Sequence, residues 1–218
     1  MPFTADQIIT LALNPAGNRA GDTALTAAAE SELQLLIFEL EEDPSPYWFQ
    51  LSEWSTANLI ADSNQVQLPT DFLMEDEDSH LFLLDISGAT VRSRLEKDDS
   101  DALRLKYLNG GSSTPKYYAI TGEYFELFPT PSRATFQLEM RYYKRATDLT
   151  ETIRENVWTV NGPDLLIAML GQKIINGYLQ ENNAASASLE KAEARARRRL
   201  RTKHVAREVA NMDMEMGD

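Results

Sequence analysis

The sequence predicts an α+β protein: a helical bundle formed by N- and C-terminal helices, with an inserted antiparallel β region. Apolar residues recur at helical spacing before residue 46 and after residue 151. Between them, short runs of aromatic and β-branched residues alternate with turn formers, a strand pattern. Pro44 and Pro46 mark the first change of pattern, and Gly162 and Pro163 lie beyond the second. The expected division is therefore residues 1–46 and 151–218 for the bundle and 47–150 for the β insertion. No internal repeat or long low-complexity segment interrupts it.

Thr4 to Leu13 reads as a short amphipathic helix, apolar through Ile8, Ile9, Leu11, Ala12 and Leu13, and stopped by Asn14, Pro15 and Gly17. Asp22 is suited to cap a second helix of about five turns. Leu25, Ala29, Leu33, Leu36 and Leu40 give it one apolar stripe, and Asp43, Pro44 and Pro46 end it. Strand-like runs follow at Ala57–Ile60, Val66–Leu68, His80–Ile86 and Thr90–Leu95. Asp98–Asp101 can cap a brief helix through Tyr107, which Asn109, Gly110 and Gly111 break. Tyr117–Thr121 and Tyr124–Phe128 flank Gly122 and Glu123, the pattern of a tight hairpin. Phe136, Leu138, Met140 and Tyr142 alternate with polar residues, as in a strand with one wet face.

Beyond Thr150 the helical period returns. Gly162 and Pro163 open a helix with Asp164 in its first turn, where the dipole favours a carboxylate. Leu166, Leu170, Ile174 and Tyr178 form its stripe, widened by Ile167 and Met169. Asn182 and Asn183 separate it from a last helix starting near Ala184. That helix has a thin stripe, Leu189, Ala192, Ala196 and Leu200, and needs a partner. Met212, Met214 and Met216 among acids suggest an end ordered only by a partner.

Composition narrows the chemistry. The chain has no cysteine, which excludes disulfides, thiolate metal sites and cysteine catalysis. No apolar run approaches the ~20 residues of a membrane span, and the N-terminus lacks the pattern of a signal peptide, so synthesis in the cytoplasm and no membrane partner are expected. Only His80 and His204 could act as imidazole bases; His80 opens an apolar run and His204 lies among arginines. No GxSxG, Walker loop, GxGxxG or HExxH occurs. Asp71, Glu75, Asp76, Glu77 and Asp78 could gather around a hard cation, but lack the spaced ligand order of an EF-hand and read better as a solvated loop. No catalytic residue, metal or cofactor is expected.

Charge is unevenly spread. The net charge is −13, and residues 1–90 hold sixteen carboxylates against one base, Arg19. Seven of the 21 basic residues, Arg195, Arg197, Arg198, Arg199, Arg201, Lys203 and Arg207, cluster in the last helix over roughly 18 Å. They wrap around it rather than forming one face. Such a helix can bind DNA phosphates, with steep salt dependence, or the carboxylates of a protein. The lack of nearby aromatic platforms favours the protein.

Residues 117–150, YYAITGEYFELFPTPSRATFQLEMRYYKRATDLT, resemble the middle of phage head-to-tail adaptor (connector) proteins, the family that includes tail tubular protein A. The shared features are a Tyr-x-Ile-x-Gly hairpin, a strand ending in Pro-x-Pro, and a strand ending in Tyr-Tyr. VQLPTDFL at 66–73 is similar to the family's Leu-Pro-x-Asp-Phe, and NVWTVNGPDLL at 156–166 to the Trp and Pro-Asp that open its next helix. The ordered motifs cover roughly residues 22–200, whereas LALNPAGNRAGD and the arginines after Arg195 depart from the pattern.

The resemblance implies a non-enzymatic structural subunit of the virion neck, assembled in the host cytoplasm. It implies a homo-oligomeric ring, commonly a dodecamer, beneath the portal protein and above a tail or nozzle protein, with DNA passing through without specific binding. It also implies a C-terminal segment that reaches the portal, which assigns the seven basic residues of 195–207 to portal binding. Carboxylates lining the channel would repel DNA phosphate. The rival expectations are another neck or tail-completion protein, a nucleic-acid binder using the basic helix, and a carboxylate-based hydrolase.

Overall fold

The computed structural model describes residues 2–17, 19, 21–76, 80–88, 90–179 and 184–215, with the side chains of the last helix as far as 206. The separator Asn182–Asn183, the acids Glu77 and Asp78 and the side chains of Arg207 and the terminal methionines lie outside what is described. The chain forms two compact units, Met1–Gln50 with Arg145–Asp218 and Leu51–Lys144.

In the helical unit, α1 (Ala5–Leu13) starts on a reciprocal cap between Thr4 and Gln7 and buries Ala5, Ile8, Ile9, Ala12 and Leu13. Helix α2 (Thr23–Glu41) starts on Asp22, whose side chain accepts from the amides of Ala24 and Leu25 at 3.0 and 3.2 Å. All five residues of its expected stripe are buried, joined by Ile37. A short helix α4 (Val157–Asn161) is capped by Asn156 and carries Trp158, which is 0% exposed. Tyr47 and Phe49 meet the Trp158 ring edge-on at 5.3 and 4.9 Å. The sequence places Tyr47–Gln50 in the β region; this aromatic cluster draws them into the helical core.

Pro163 then opens α5 (Pro163–Lys173), which packs against α1, α2 and α6 (Ala184–Glu215). Helix α5 can be approached so closely because of Gly171: a β-carbon there would lie 3.0 Å from Leu189 Cδ1 and 3.2 Å from the Ala12 carbonyl oxygen. A π-helical turn follows at Ile174–Tyr178. Its wider winding buries Ile174 and Ile175 and swings Tyr178 off the expected stripe, leaving it 48% exposed with its hydroxyl donating to Glu32. Nor is α6 without a partner: Leu189, Ala196 and Leu200 are buried in the same core.

Glu41 is a buried acid in this unit. Its Oε1 accepts from the Ala146 amide at 2.6 Å and Trp158 Nε1 at 3.3 Å, tying the end of α2 to the returning chain. Burial raises its pKa, only partly opposed by these donors and by Arg145.

The β unit holds three small sheets, ordered β1-β9-β4-β5, β10-β3 and β2-β8-β7-β6. The strands are β1 (Ser55–Asn58), β2 (Gln65–Gln67), β3 (Phe72–Glu75), β4 (Phe82–Asp85), β5 (Val91–Arg94), β6 (Glu96–Lys97), β7 (Tyr117–Thr121), β8 (Tyr124–Phe128), β9 (Phe136–Met140) and β10 (Tyr142–Lys144). All pairings are antiparallel except the two-residue β6–β7 match. The β7–β8 hairpin turns on Gly122 at φ +61°, with Thr121 opposite Tyr124. Phe136, Leu138, Met140 and Tyr142 are all buried, as their alternation requires. Ile60 departs from its expected strand and is 71% exposed. Helix α3 (Ser100–Lys106) is fastened to β8 by Glu126, which is 2% exposed and accepts from Ser100 Oγ at 2.9 Å and Arg104 at 2.5 and 3.1 Å. Burial alone would raise the Glu126 pKa; the Arg104, Ser100 and Gln65 contacts outweigh it and lower it.

Two outcomes test this packing. Gly-to-Ala in a helix normally stabilises by ~1 kcal/mol, but Gly171→Ala is expected to lower the urea midpoint, since overpacking costs about 1–3 kcal/mol. Gly177→Ala, where nothing lies within 4 Å, is expected not to lower it. Because folding raises the Glu41 pKa, its contribution is fully present below the ordinary carboxylate value and is lost as pH rises through the raised one. Midpoints measured across that window are expected to fall for the native chain relative to Glu41→Gln, which keeps the acceptor and cannot ionise.

Candidate functional site

The clustered basic residues of α6 whose side chains are described, Arg195, Arg197, Arg198, Arg199, Arg201 and Lys203, do not form one patch. The buried residues Leu189, Ala196 and Leu200 fix the roll of the helix on α5, and that roll decides where each base points. Arg197 turns inward: its Nε donates to Glu193 at 2.8 Å, one turn back, and its NH2 reaches Met169 Sδ at 3.5 Å. Arg199 pairs with Asp164 at 3.4 Å and Arg201 with Asp43 at 3.8 Å. Both pairs are open to solvent and contribute little to stability. Arg195, Arg198 and Lys203 are exposed and make no ion pair with any described residue. Past Leu200, residues 201–206 are exposed except for half-buried His204, and the helix continues to Glu215.

Two acids of the stretch around 71–78 are committed elsewhere. Asp71 accepts from the Tyr142 hydroxyl at 2.7 Å and Glu75 from the Tyr118 hydroxyl at 2.8 Å, while Lys97 pairs with Glu75. Burial, then these carboxylates, raises the pKa of both tyrosines. No group of three metal-ligating side chains occurs among the described residues. His80 stands at 6.3 Å from the Phe82 ring, consistent with its place at the head of an apolar run.

A groove of about 590 Å³ runs between α2, α5 and α6 over a floor of Leu36 and Met169. Lys173 crosses its wall, held by Glu39 at 2.6 Å and Glu32 at 3.6 Å. Glu32 is thus committed to Lys173 and to the Tyr178 hydroxyl. Arg154, which drew no attention in the sequence, binds Asp6 and Glu30 and so joins the chain before α4 to both α1 and α2. Also unanticipated is a cluster on β4 and β5, where the Arg92 guanidinium lies 3.6 Å from the Phe82 ring centre and 4.9 Å from that of Trp54. The register of β4 with β5 was its only sequence signal, and register is not readable from one chain.

No helix among the described residues is long and apolar enough to cross a membrane. The family model for SU10 adaptor proteins matches residues 3–215, nearly the whole chain. The chain belongs to that family. It is a family of phage head-to-tail adaptors, so this adaptor is a structural component of a virion that contacts other head or tail proteins. No curated protein matches it.

The commitment of Asp71 and Glu75 to tyrosine hydroxyls has a direct test. Millimolar calcium or magnesium is expected to leave the adaptor's thermal midpoint unshifted; a concentration-dependent rise would show a cation site.

Proposed function

We propose that the adaptor is a non-enzymatic ring subunit, assembled in the host cytoplasm, that joins the portal to the tail around the DNA channel. The observation that carries this beyond family membership is the overhang of α6, the stretch after Leu200, where residues 201–206 are exposed apart from half-buried His204. The helix continues from Leu200 to Glu215, about 22 Å at 1.5 Å per residue. A helical stretch whose exposed residues pack on nothing in their own chain gains order from a partner. Lys203 and Arg207 sit in this overhang, and the solvent-open Arg201–Asp43 pair is weak enough to be exchanged for a partner's carboxylate. The remaining arginines of the cluster lie on the part of α6 that packs on α5.

In this reading the tail or nozzle protein lies below the ring, and part of the carboxylate excess faces the channel, so that DNA slides without being held. Binding of nucleic acid through α6 is less well supported, because Arg197 is turned inward to Glu193 and no aromatic platform lies near the cluster.

Deleting residues 203–218 keeps Leu189, Ala196 and Leu200 in place. The shortened adaptor is expected to fold with an unchanged circular dichroism melt and to lose attachment to purified portal in negative-stain images. Undiminished attachment overturns the role given to the overhang. A steep loss of DNA retention with salt in filter binding would favour the nucleic-acid reading.

A further inference from the structure

Helix α2 has two apolar seams, and the core uses one. Opposite the buried stripe, Ala24, Ala27, Ser31, Leu35, Phe38 and Glu42 are all exposed and follow one another at steps of three or four residues. Leu35 is 51% and Phe38 39% exposed, a large apolar pair one helical turn apart. The helix contains no lysine, arginine or histidine, and Glu39 and Glu42 edge the Phe38 end of the seam. Glu42 makes no ion pair with any described residue.

Helix α6 has the complementary seam. Facing away from Leu189, Ala196 and Leu200 are Ala187, Lys191, Ala194 and Arg198, again spaced by three or four and all exposed. The line carries no acid. Lys191 and Arg198 have no ionic partner among the described residues. Both helices lay their buried stripes toward α5, so the two seams are outward faces of one bundle.

We propose that the outward seam of α2 receives the outward seam of α6 from a second copy of the chain, the two helices running in the same direction, with Leu35 and Phe38 packing over Ala194 and Arg198 one turn further on meeting Glu42. The inference rests on the ring reading and supplies its contact. Large side chains on one seam face an alanine on the other, which lets two helices approach closely. Charge selects the pairing: α2 against α2 opposes acids, and α6 against α6 opposes bases, so only the unlike contact is favoured. An interface between two different faces of one subunit repeats from copy to copy, and it closes as a ring when the rotation between copies divides a full turn.

The chain contains no cysteine, so thiols can be placed without background. Leu35→Cys and Ala194→Cys combined in one full-length chain, assembled on purified portal and treated with a short bismaleimide, are expected to give a ladder of covalent multimers. Either substitution alone is expected to give none. Dimers from Leu35→Cys alone would show α2 paired with itself and overturn the proposal. Rings visible by electron microscopy without a ladder overturn this contact and leave the ring standing; no rings from the native chain overturn both. Arg198→Glu and Glu42→Arg are each expected to weaken assembly about tenfold, and the double variant to recover it. Unchanged assembly in both single variants would also refute the contact.

Discussion

The helical unit depends on the close approach of α1 and α6 to α5 at Gly171. With Leu189 and the Ala12 carbonyl both at the limit of contact with a β-carbon placed there, that glycine fixes the distance of α6 from the bundle. The position of Leu189 in turn fixes which side of α6 is buried, and therefore which of its bases meet acids of the same chain. A contact between apolar groups thus decides an electrostatic pattern. Arg197 faces inward and Arg198 outward because they are neighbours on a helix whose roll has already been set.

Acidic residues in this protein mostly serve as acceptors. Glu41 closes the end of α2 on the returning chain, Glu126 holds α3 to β8, and Asp71 and Glu75 receive two tyrosine hydroxyls. Each is partnered within its unit, and the solvent-open remainder on α2 is partly neutralised by Arg154 and Lys173. What looks from composition like an acidic body is, among the described residues, a set of pinned carboxylates together with free ones such as Glu42. Only the free ones can act on a neighbour or on DNA.

Much of the fold was legible where one physical signal dominated. Asp22 and the stripe from Leu25 to Leu40 specify α2, and Gly122 specifies the hairpin, because capping and positive φ are local requirements. Phe72–Glu75 was not readable as a strand: its apolar residues run together beside acids, and it exists by pairing with β10, a long-range event. Tyr178 was assigned to a stripe that the π turn then shifted by a fraction of a turn. For the candidate site, the sequence located the basic helix but not the tethering of Arg197, Arg199 and Arg201. Their partners, Glu193 apart, lie far away along the chain. Leu35 and Phe38 were visible as apolar residues off the α2 stripe, yet exposure is a property of the folded bundle.

The β unit begins and ends at one place. The Ser52 amide donates to the Tyr142 carbonyl at 2.8 Å, and Leu51 bridges Tyr143, so the strands that enter and leave it lie side by side. A segment whose termini meet can lengthen, shorten or be exchanged for another of unrelated sequence, and the chain that hosts it need only span the same small gap. Variation among relatives in what this part of the adaptor touches can therefore accumulate without disturbing the helices that flank it.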